Sequence, residues 1–371
     1  MLIQNAKAFM DGKFQEKTDL LIRDGRISAI GTGLAAEGEE TLDLGGDLLL
    51  PGFVDVHIHA FKGMDTMQGE EAVRHMSREL KKVGVAAFLP TTMSASPEDT
   101  VKALEGIKAV MDRPEPDGAI VLGAHMEAPF LAEAKAGAQL KQYFADPNEE
   151  NWQRYTGGLE SIVRLITMAP ERAGALDFIR ELTKKGITVS IGHTTADAET
   201  THAAAEAGAT HVTHTFNAQT PLNHRAPGVP GAALVDERLQ CEVISDGIHL
   251  HPDIVKLIIR TKGGEKLVAI TDAMEAAGMP DGQYQLGGQD VFVHEGAARL
   301  KDGTLAGSTL TMVRAFQNLM RFGATPEEAA LMTTQTPALS IGNEELGEIE
   351  LGAPAIFSRF DENYAFKGTV G

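Results

Sequence analysis

Two histidines, His57 and His59, are separated by a single residue within the largely apolar stretch 51–59. Apolar and polar residues alternate here, which is the period of a β-strand with two unlike faces. On such a strand both imidazoles point the same way and can bind one metal ion. A His-x-His pair is also common on solvated strands, so the pair indicates a metal site only together with further ligands.

Further candidate ligands follow other apolar runs, each where a predicted strand ends. They are Glu127 after the third strand, His193 after the fifth, His214 after the sixth and Asp272 after the eighth. Each has an ordinary alternative, such as a buried histidine bonded to a carbonyl or an aspartate capping a helix. Their coincidence at the ends of parallel strands predicts a site for one or two divalent metal ions.

The elements that must position these residues alternate between apolar strands and amphipathic helices. Strands are predicted at 54–59, 85–89, 119–126, 162–168, 187–191, 211–215, 242–245 and 267–271. Helices are predicted at 71–83, 96–111, 173–184, 196–207 and 252–260, with a β-hairpin insertion at 284–305 and closing helices at 309–322 and from 326. Eight strands with crossover helices predict an α/β fold, a (β/α)8 TIM-type barrel. An open doubly wound sheet is the alternative, but no Gly-x-Gly-x-x-Gly turn supports it.

Both ends of the chain carry short β segments outside this alternation. Asp24-Gly25 between two apolar runs predicts a tight hairpin, and residues 355–357 predict a strand near the other end. Because chain termini often lie close together, we expect one small discontinuous β-sandwich domain made of residues 1–51 and 347–371. The barrel domain would then comprise residues 52–346.

The composition excludes several classes of partner. The 371 residues are 43% hydrophobic and carry a formal net charge of −19. This charge argues against nucleic acid or an anionic membrane surface as partner, and no apolar run reaches a transmembrane length. The single cysteine, Cys241, cannot form an internal disulfide, and the first residues lack the apolar core of a signal peptide. We therefore expect a cytoplasmic protein.

Taken together, the motifs resemble those of the amidohydrolase superfamily and, within it, of the N-acetylglucosamine-6-phosphate deacetylase family. The strings that carry the resemblance are Pro51-Gly-Phe-Val-Asp-Val-His-Ile-His59, His125-Met-Glu-Ala-Pro-Phe130, Met168-Ala-Pro-Glu171, Gly192-His-Thr194, Thr213-His-Thr-Phe-Asn-Ala218, Ser245-Asp-Gly-Ile-His249, Thr271-Asp-Ala273 and Leu305-Ala-Gly-Ser-Thr309. They span nearly the whole chain. Two departures, Ala128 in place of the usual glycine and residues 60–63 in place of a Gly-rich turn, concern substrate fit more than chemistry.

The resemblance implies a role for each matching residue. The family's principal metal ligands are matched by Glu127, His193 and His214, and the pair that supports a second metal by His57 and His59. Asp272 matches the catalytic acid/base. Substrate-contacting positions are matched by Gln139, Asn217, Ala218, Arg225 and His249. The implied cofactor is a divalent metal, zinc or iron, one or two per subunit, with Glu127 in the place of the modified lysine that bridges two metals in many relatives.

The implied reaction is metal-dependent removal of acetate from N-acetylglucosamine 6-phosphate to give glucosamine 6-phosphate. The implied partner is this small amino-sugar phosphate. A homodimer is also implied, because in this family the Arg and the His that grip the phosphate can reach across a dimer interface. Three alternatives stay open: a deacetylase for another amino-sugar phosphate such as the galactosamine epimer, a ring-opening enzyme of the dihydroorotase type, and a non-catalytic barrel. The non-catalytic barrel predicts eroded ligands, whereas the full ligand set is present.

Overall fold

The computed structural model describes residues 1–35 and 38–371, and the chain begins with a small β unit. Its strands are β1 (Leu2–Met10), β2 (Lys13–Arg23), β3 (Arg26–Gly31), β4 (Thr41–Asp43) and β5 (Leu48–Pro51). Asp24 and Gly25 join β2 to β3 with left-handed φ angles of 50° and 70°. Asp-Gly adopts this turn conformation readily, so the predicted hairpin is confirmed.

Alternating strands and helices follow this unit. The first half of the barrel contains β6 (Phe53–Ile58), the short pair β7 (Ala60–Phe61) and β8 (Met64–Asp65), α1 (Glu70–Lys82), β9 (Val85–Thr92), α2 (Pro97–Asp112), β10 (Ile120–Val121) and β11 (Ala124–Met126). The second half contains α3 (Glu149–Thr156), β12 (Val163–Met168), α4 (Ala175–Lys184), β13 (Thr188–Ile191), α5 (Ala198–Ala207), β14 (His211–Val212), α6 (Gly228–Val235), β15 (Gln240–Ile244), α7 (Pro252–Lys262) and β16 (Leu267–Ile270). Short 3-10 turns lie at Thr66–Gln68, Glu133–Lys135, Lys141–Tyr143 and Glu160–Ile162.

Eight parallel strands close into a barrel. The order of neighbours is β6, β9, β11, β12, β13, β14, β15 and β16. The last strand returns to the first through hydrogen bonds donated by Asp272 N to His57 O (2.8 Å) and by His59 N to Ala273 O (3.0 Å). The predicted (β/α)8 barrel is therefore confirmed, and its closing seam runs directly between candidate site residues.

The segment after the eighth strand is a three-stranded antiparallel sheet followed by helices. Its elements are β17 (Gly282–Leu286), β18 (Gln289–His294), β19 (Ala297–Arg299), α8 (Met312–Phe322), α9 (Pro326–Thr333) and α10 (Gln335–Ser340). The predicted insertion is present, with one strand more than a hairpin. None of the helices in the described part of the chain is long and apolar enough to cross a membrane.

The chain ends with β20 (Phe357–Phe360) and β21 (Phe366–Val370), which return to the starting β unit. Strand β20 pairs antiparallel with both β5 and β21, and β5 pairs parallel with β1, so both ends share one seven-stranded sheet. Phe53, at the start of β6, packs on Phe316 and Phe360 with ring centroids 6.0 and 6.2 Å away. These rings connect the sheet to the barrel. The predicted fold class is confirmed, and the domain division at residues 51 and 347 stays a prediction.

Candidate active site

The predicted ligands all lie at the carboxyl ends of barrel strands, and all are buried. Their exposed fractions are 0% for His57, 2% for His59 and Glu127, 5% for His193 and His214, and 8% for Asp272. Three of them follow their strands with left-handed backbones, at φ 46° (His193), 28° (His214) and 50° (Asp272). Such angles are uncommon for residues with a Cβ atom and often mark functional positions.

Glu127, which follows β11, lies at the centre of this group. Its Oε1 is 3.0 Å from His214 Nε2, 3.2 Å from His193 Nε2 and 3.4 Å from His57 Nε2. Its Oε2 is 3.1 Å from His59 Nε2. The structure therefore brings together four histidines from three strand ends around one carboxylate.

The ring orientation of three of these histidines is set by an oxygen on the far side of the ring. His57 Nδ1 lies 3.1 Å from Glu242 Oε2, His59 Nδ1 lies 3.2 Å from Thr91 O, and His193 Nδ1 lies 2.8 Å from Lys135 O. Carbonyl and carboxylate oxygens only accept hydrogen bonds, so each Nδ1 carries the hydrogen. In the neutral ring this leaves the Nε2 lone pair facing Glu127, which is the tautomer that a metal ligand requires.

The spacing of the donor atoms fits a small divalent ion. Glu127 Oε1, His193 Nε2 and His214 Nε2 are 3.0 to 3.2 Å from one another. Ligands at zinc–nitrogen and zinc–oxygen bond lengths in a tetrahedral arrangement are about 3.3 Å apart. A second group is formed by His57, His59 and the same Glu127. The residues thus fit either one ion or two ions that share Glu127.

The predicted ligands, His57, His59, Glu127, His193, His214 and Asp272, are called the cluster below. The charges in the cluster agree with a site for divalent cations. Burial disfavours the charged imidazole, but Glu127 and Asp272 raise the pKa of His57 well above its usual value. Burial likewise opposes charge on His59, yet hydrogen bonds to Asp272 and Glu127 raise its pKa to about 9. Burial would raise the pKa of Asp272, but His57 and His59 lower it below its usual value. The two carboxylates therefore draw positive charge into the cluster, from protons or from a metal cation.

Asp272, which follows β16, lies beside the His-x-His pair. Its Oδ1 is 3.2 Å from His59 Nε2 and 3.5 Å from His57 Nε2. Its backbone nitrogen donates to His57 O in the seam that closes the barrel, and its backbone oxygen accepts from Ser308 N at 2.7 Å. Asp272 does not cap a helix. Its carboxylate lies at the mouth of the barrel and is directed to His57 and His59.

A cleft of about 330 Å³ opens above this cluster. Four of the predicted substrate-contacting residues line it, namely Gln139, Asn217, Ala218 and His249. The His249 ring is held by Asp246, whose Oδ2 accepts from Nδ1 at 2.6 Å. Volumes of this size are usual for small-molecule sites.

Two predicted residues have positions that the sequence did not specify. Gln139 is buried, with Nε2 donating to Glu127 Oε2 at 2.6 Å and Oε1 accepting from Ser94 N at 2.7 Å. Arg225 is exposed on a turn, its backbone nitrogen donating to Asn223 Oδ1 at 3.2 Å, and it is not among the described residues that line the cleft of its own subunit.

Sequence reasoning missed Glu242 and Lys135. Glu242 is fully buried in β15 and holds the His57 ring, and the signal for it was an acidic residue inside an otherwise apolar strand. Lys135 lines the cleft and provides the carbonyl that holds His193. No feature of the sequence separates Lys135 from an ordinary surface lysine.

Comparisons with known proteins agree with this geometry. The family model described as "Amidohydrolase family" matches residues 48–368. An N-acetylglucosamine-6-phosphate deacetylase from Lysinibacillus sphaericus is 36% identical, over 100% of this chain and 96% of the relative. An N-acetylgalactosamine-6-phosphate deacetylase from Escherichia coli O157:H7 is 37% identical, over 91% of this chain and 88% of the relative.

A solved structure gives the same result for the fold. It is an aspartate-to-alanine variant of N-acetyl-D-glucosamine-6-phosphate deacetylase from Mycobacterium smegmatis in complex with N-acetyl-D-glucosamine 6-phosphate. The TM-score is 0.92 at 32% identity, and the match covers 100% of this chain and 97% of that chain.

Proposed function

Because this chain belongs to the amidohydrolase family, we propose that it removes acetate from N-acetylglucosamine 6-phosphate and leaves glucosamine 6-phosphate. The observation that carries the proposal is the buried group of four histidines around Glu127, with Asp272 beside it, at the floor of an open cleft. Similarity to deacetylases of amino-sugar phosphates, over the full length of the chain, supports the substrate class.

The proposed cofactor is zinc or iron, one or two ions per subunit. Glu127, His193 and His214 would hold one ion, and His57, His59 and Glu127 a second. When bound, a divalent ion of this kind activates water as a nucleophile and polarises the amide carbonyl. Imidazole nitrogens and carboxylate oxygens suit both zinc and iron, so the donor set supports either metal.

Asp272 is proposed as the group that moves the proton. Its carboxylate, kept ionised by the positive charge of the cluster, would accept a proton from the attacking water as the C–O bond forms. The same carboxyl group would then give that proton to the amine nitrogen as the C–N bond breaks. One residue serves both steps because they occur in sequence, and Asp272 ends each turnover as the carboxylate with which it began.

The cleft residues would orient the sugar phosphate. Asp246 fixes the ring of His249, so in the neutral ring Nε2 can accept a hydrogen bond from a substrate hydroxyl group. Asn217, Ala218 and Lys135 line the same cleft. The Gln139 amide nitrogen donates to Glu127 Oε2 and, at 3.6 Å, to Met93 Sδ, and its oxygen accepts from Ser94 N, so we propose that any contact with substrate replaces the weak hydrogen bond to sulfur.

A homodimer would account for the position of Arg225. This arginine is exposed and lies outside the cleft of its own subunit, whereas guanidinium groups suit phosphate oxygens. We therefore propose that it completes the phosphate site of a neighbouring copy. A cytoplasmic location is also part of the proposal, supported by the single buried Cys241.

The test is acetate release by the purified protein from N-acetylglucosamine 6-phosphate, measured before and after chelation and after metal is restored. Unphosphorylated N-acetylglucosamine and N-acetylgalactosamine 6-phosphate are run beside it. The expected result is release from N-acetylglucosamine 6-phosphate that is much faster than from the unphosphorylated sugar, lost on chelation and recovered with metal. The Asp272→Asn protein is the matched control, since it should bind metal without turnover.

The galactosamine epimer is the second candidate substrate. The relative that acts on N-acetylgalactosamine 6-phosphate is 37% identical, and the relative that acts on the glucosamine sugar is 36% identical, so similarity does not separate them. Faster release from the galactosamine sugar would reassign the substrate and keep the chemistry. No release from any of the three sugars by the metal-loaded protein would refute the proposed deacetylase function.

A further inference from the structure

We propose that Glu242 is a positioning residue that sets the metal affinity of one half of the site, the ion position formed by His57, His59 and Glu127. It contacts neither the cleft nor the donor atoms of the cluster, and it would act through the His57 ring. The inference rests on the proposed metal dependence of the enzyme, and it adds a residue to which neither the motifs nor the comparisons assign a role.

The hydrogen bonds of Glu242 point to this role. Its side chain is 0% exposed and lies inside the barrel, on a strand adjacent to the one that precedes His214. Among the described residues, its carboxylate accepts hydrogen bonds from His57 Nδ1 at 3.1 Å and from His214 N at 3.4 Å. The other oxygen, Oε1, is buried without a hydrogen-bond partner in the described chain. The contacts of this carboxylate thus go to two residues of the candidate metal site.

A buried and incompletely bonded carboxylate is unfavourable for folding on its own account. Its charge is compensated when the ring that it holds carries positive charge or binds a cation on its opposite nitrogen. His57 is such a ring, because its Nε2 lies 3.4 Å from Glu127 Oε1 and 3.5 Å from Asp272 Oδ1. Glu242 is therefore electrostatically coupled to whatever cation occupies the cluster.

The effect should be specific to one half of the site. The rings of His59 and His193 donate to neutral backbone carbonyls of Thr91 and Lys135, whereas the His57 ring donates to a carboxylate. A charged acceptor holds the tautomer more strongly and makes the opposite nitrogen a better donor to metal. The contact with His214 is made by the backbone nitrogen and does not set the tautomer of that ring. We thus expect Glu242 to act chiefly on the ion bound by His57 and His59.

The test measures metal affinity without substrate, by titrating chelator-treated protein with Zn²⁺ in competition with a chromophoric chelator. We expect Glu242→Ala to lower the Zn²⁺ affinity of the position formed by His57 and His59 by about 10- to 100-fold, the range for residues that hydrogen-bond to metal-binding histidines. Glu242→Gln keeps an acceptor oxygen but lacks the charge, so its loss should be smaller, about three- to tenfold. Because glutamine has the same shape as glutamate, the loss that remains in Glu242→Gln reports the missing charge and not a packing defect.

A mutant cycle assigns the effect to His57. In a His57→Ala background, Glu242→Ala should cause no further loss beyond about twofold, because the ring through which it acts is gone. In a His193→Ala background, the full loss should remain. The proposal is wrong if the losses of affinity in His57→Ala and Glu242→Ala simply add in the double variant. It is also wrong if neither Glu242 variant changes the affinity by more than about twofold.

Two further proteins keep the test decisive. Asp19 is also a buried carboxylate, 3% exposed and bonded to the backbone nitrogens of Asn5 and Leu34 in the small sheet, and Asp19→Asn should leave Zn²⁺ affinity unchanged. Should Glu242→Ala not fold, the isosteric Glu242→Gln and its combination with His57→Ala decide the matter by the same criteria. Unchanged Zn²⁺ affinity together with normal acetate release would refute the role of Glu242 and leave the proposed deacetylase function intact. Absence of acetate release would have no bearing on the affinity result.

Discussion

A buried histidine outside the metal cluster gives a quantitative prediction for the pH dependence of stability. His211, the first residue of β14, is 0% exposed, and its Nδ1 lies 3.1 Å from Thr210 Oγ1. Burial lowers the pKa of His211 from 6.5 to about 4, with Glu242 raising it and Lys266 lowering it by smaller amounts. The folded protein therefore keeps this ring neutral at pH values where the unfolded chain protonates it.

The sign and size of the effect follow from linkage between folding and proton binding. Between pH 6.5 and about 4 the unfolded state binds more protons than the folded state, so the free energy of unfolding falls as the pH decreases. At pH 5 the unfolded ring is almost fully protonated and the folded ring almost fully neutral, which corresponds to a loss of about 2 kcal/mol relative to pH 8. The variant His211→Gln cannot titrate here and should lose about 2 kcal/mol less than the wild type.

The assay is guanidinium unfolding followed by circular dichroism at pH 8 and pH 5. Loss of bound metal at the lower pH affects wild type and variant alike, so it cancels when the two pH-dependent changes are compared. His294→Gln is the matched control, because His294 is exposed at the end of β18 and should leave the pH dependence as in the wild type. Equal losses in the His211→Gln and wild-type proteins would refute the inference that the folded protein holds His211 neutral.

Three further predictions concern catalysis, substrate binding and thiol reactivity. Asp272→Asn should keep its metal, measured by elemental analysis, while kcat for acetate release falls by about 10²- to 10⁴-fold, the range for loss of a general acid/base; near-normal turnover would contradict the assignment. Arg225→Ala should raise KM for the phosphorylated sugar by about tenfold or more and leave the unphosphorylated sugar unaffected, since charged hydrogen bonds to phosphate are lost; an unchanged KM would exclude a phosphate role. Cys241 is buried, and burial raises the pKa of its thiol to about 11. It should therefore resist a thiol reagent at pH 8 until guanidinium is added, and rapid labelling of the folded protein would contradict this.

Much of the fold was predictable because its signals are local. Helix α2 was predicted, and Ser96 caps it, its hydroxyl accepting from Asp99 N at 3.1 Å, with Pro97 at the first helical position. Helix α3 was missed although Asn148 caps it and Gly157 ends it in a left-handed conformation, so its signal was present. Helix α6 offered no such signal, because it contains two glycines and a proline and forms through burial of its small apolar residues.

The third barrel strand was predicted as continuous from 119 to 126, but it is interrupted between β10 and β11. Gly123 lies in the interruption at φ 150°, and a Cβ atom there would be 2.5 Å from Ile162 O. The strand must therefore leave regular geometry where the backbone passes close to its neighbour. Only the folded arrangement reveals that approach, since residue 162 is remote in sequence.

The candidate site divides in the same way between local and remote information. Histidines and carboxylates at strand ends were predictable because each directly follows an apolar run, and parallel strands bring their ends to one face. The residues that hold them were not predictable. Glu242 is 185 positions from His57, whose ring it holds, and a pairing across the barrel leaves no periodic signal in the sequence.

The sheet shared by both ends of the chain also has a consequence for the order of events during synthesis. Strand β5 ends at Pro51, and its partner β20 begins only at Phe357. At typical rates of translation, the roughly 300 residues between them take about 15–60 s to emerge. During that interval one edge of β5 lacks its native neighbour, and every strand of the barrel leaves the ribosome before β20 does. The barrel can thus assemble first, and pairing of β20 with β5 is the step that completes the long-range contacts of the nascent protein.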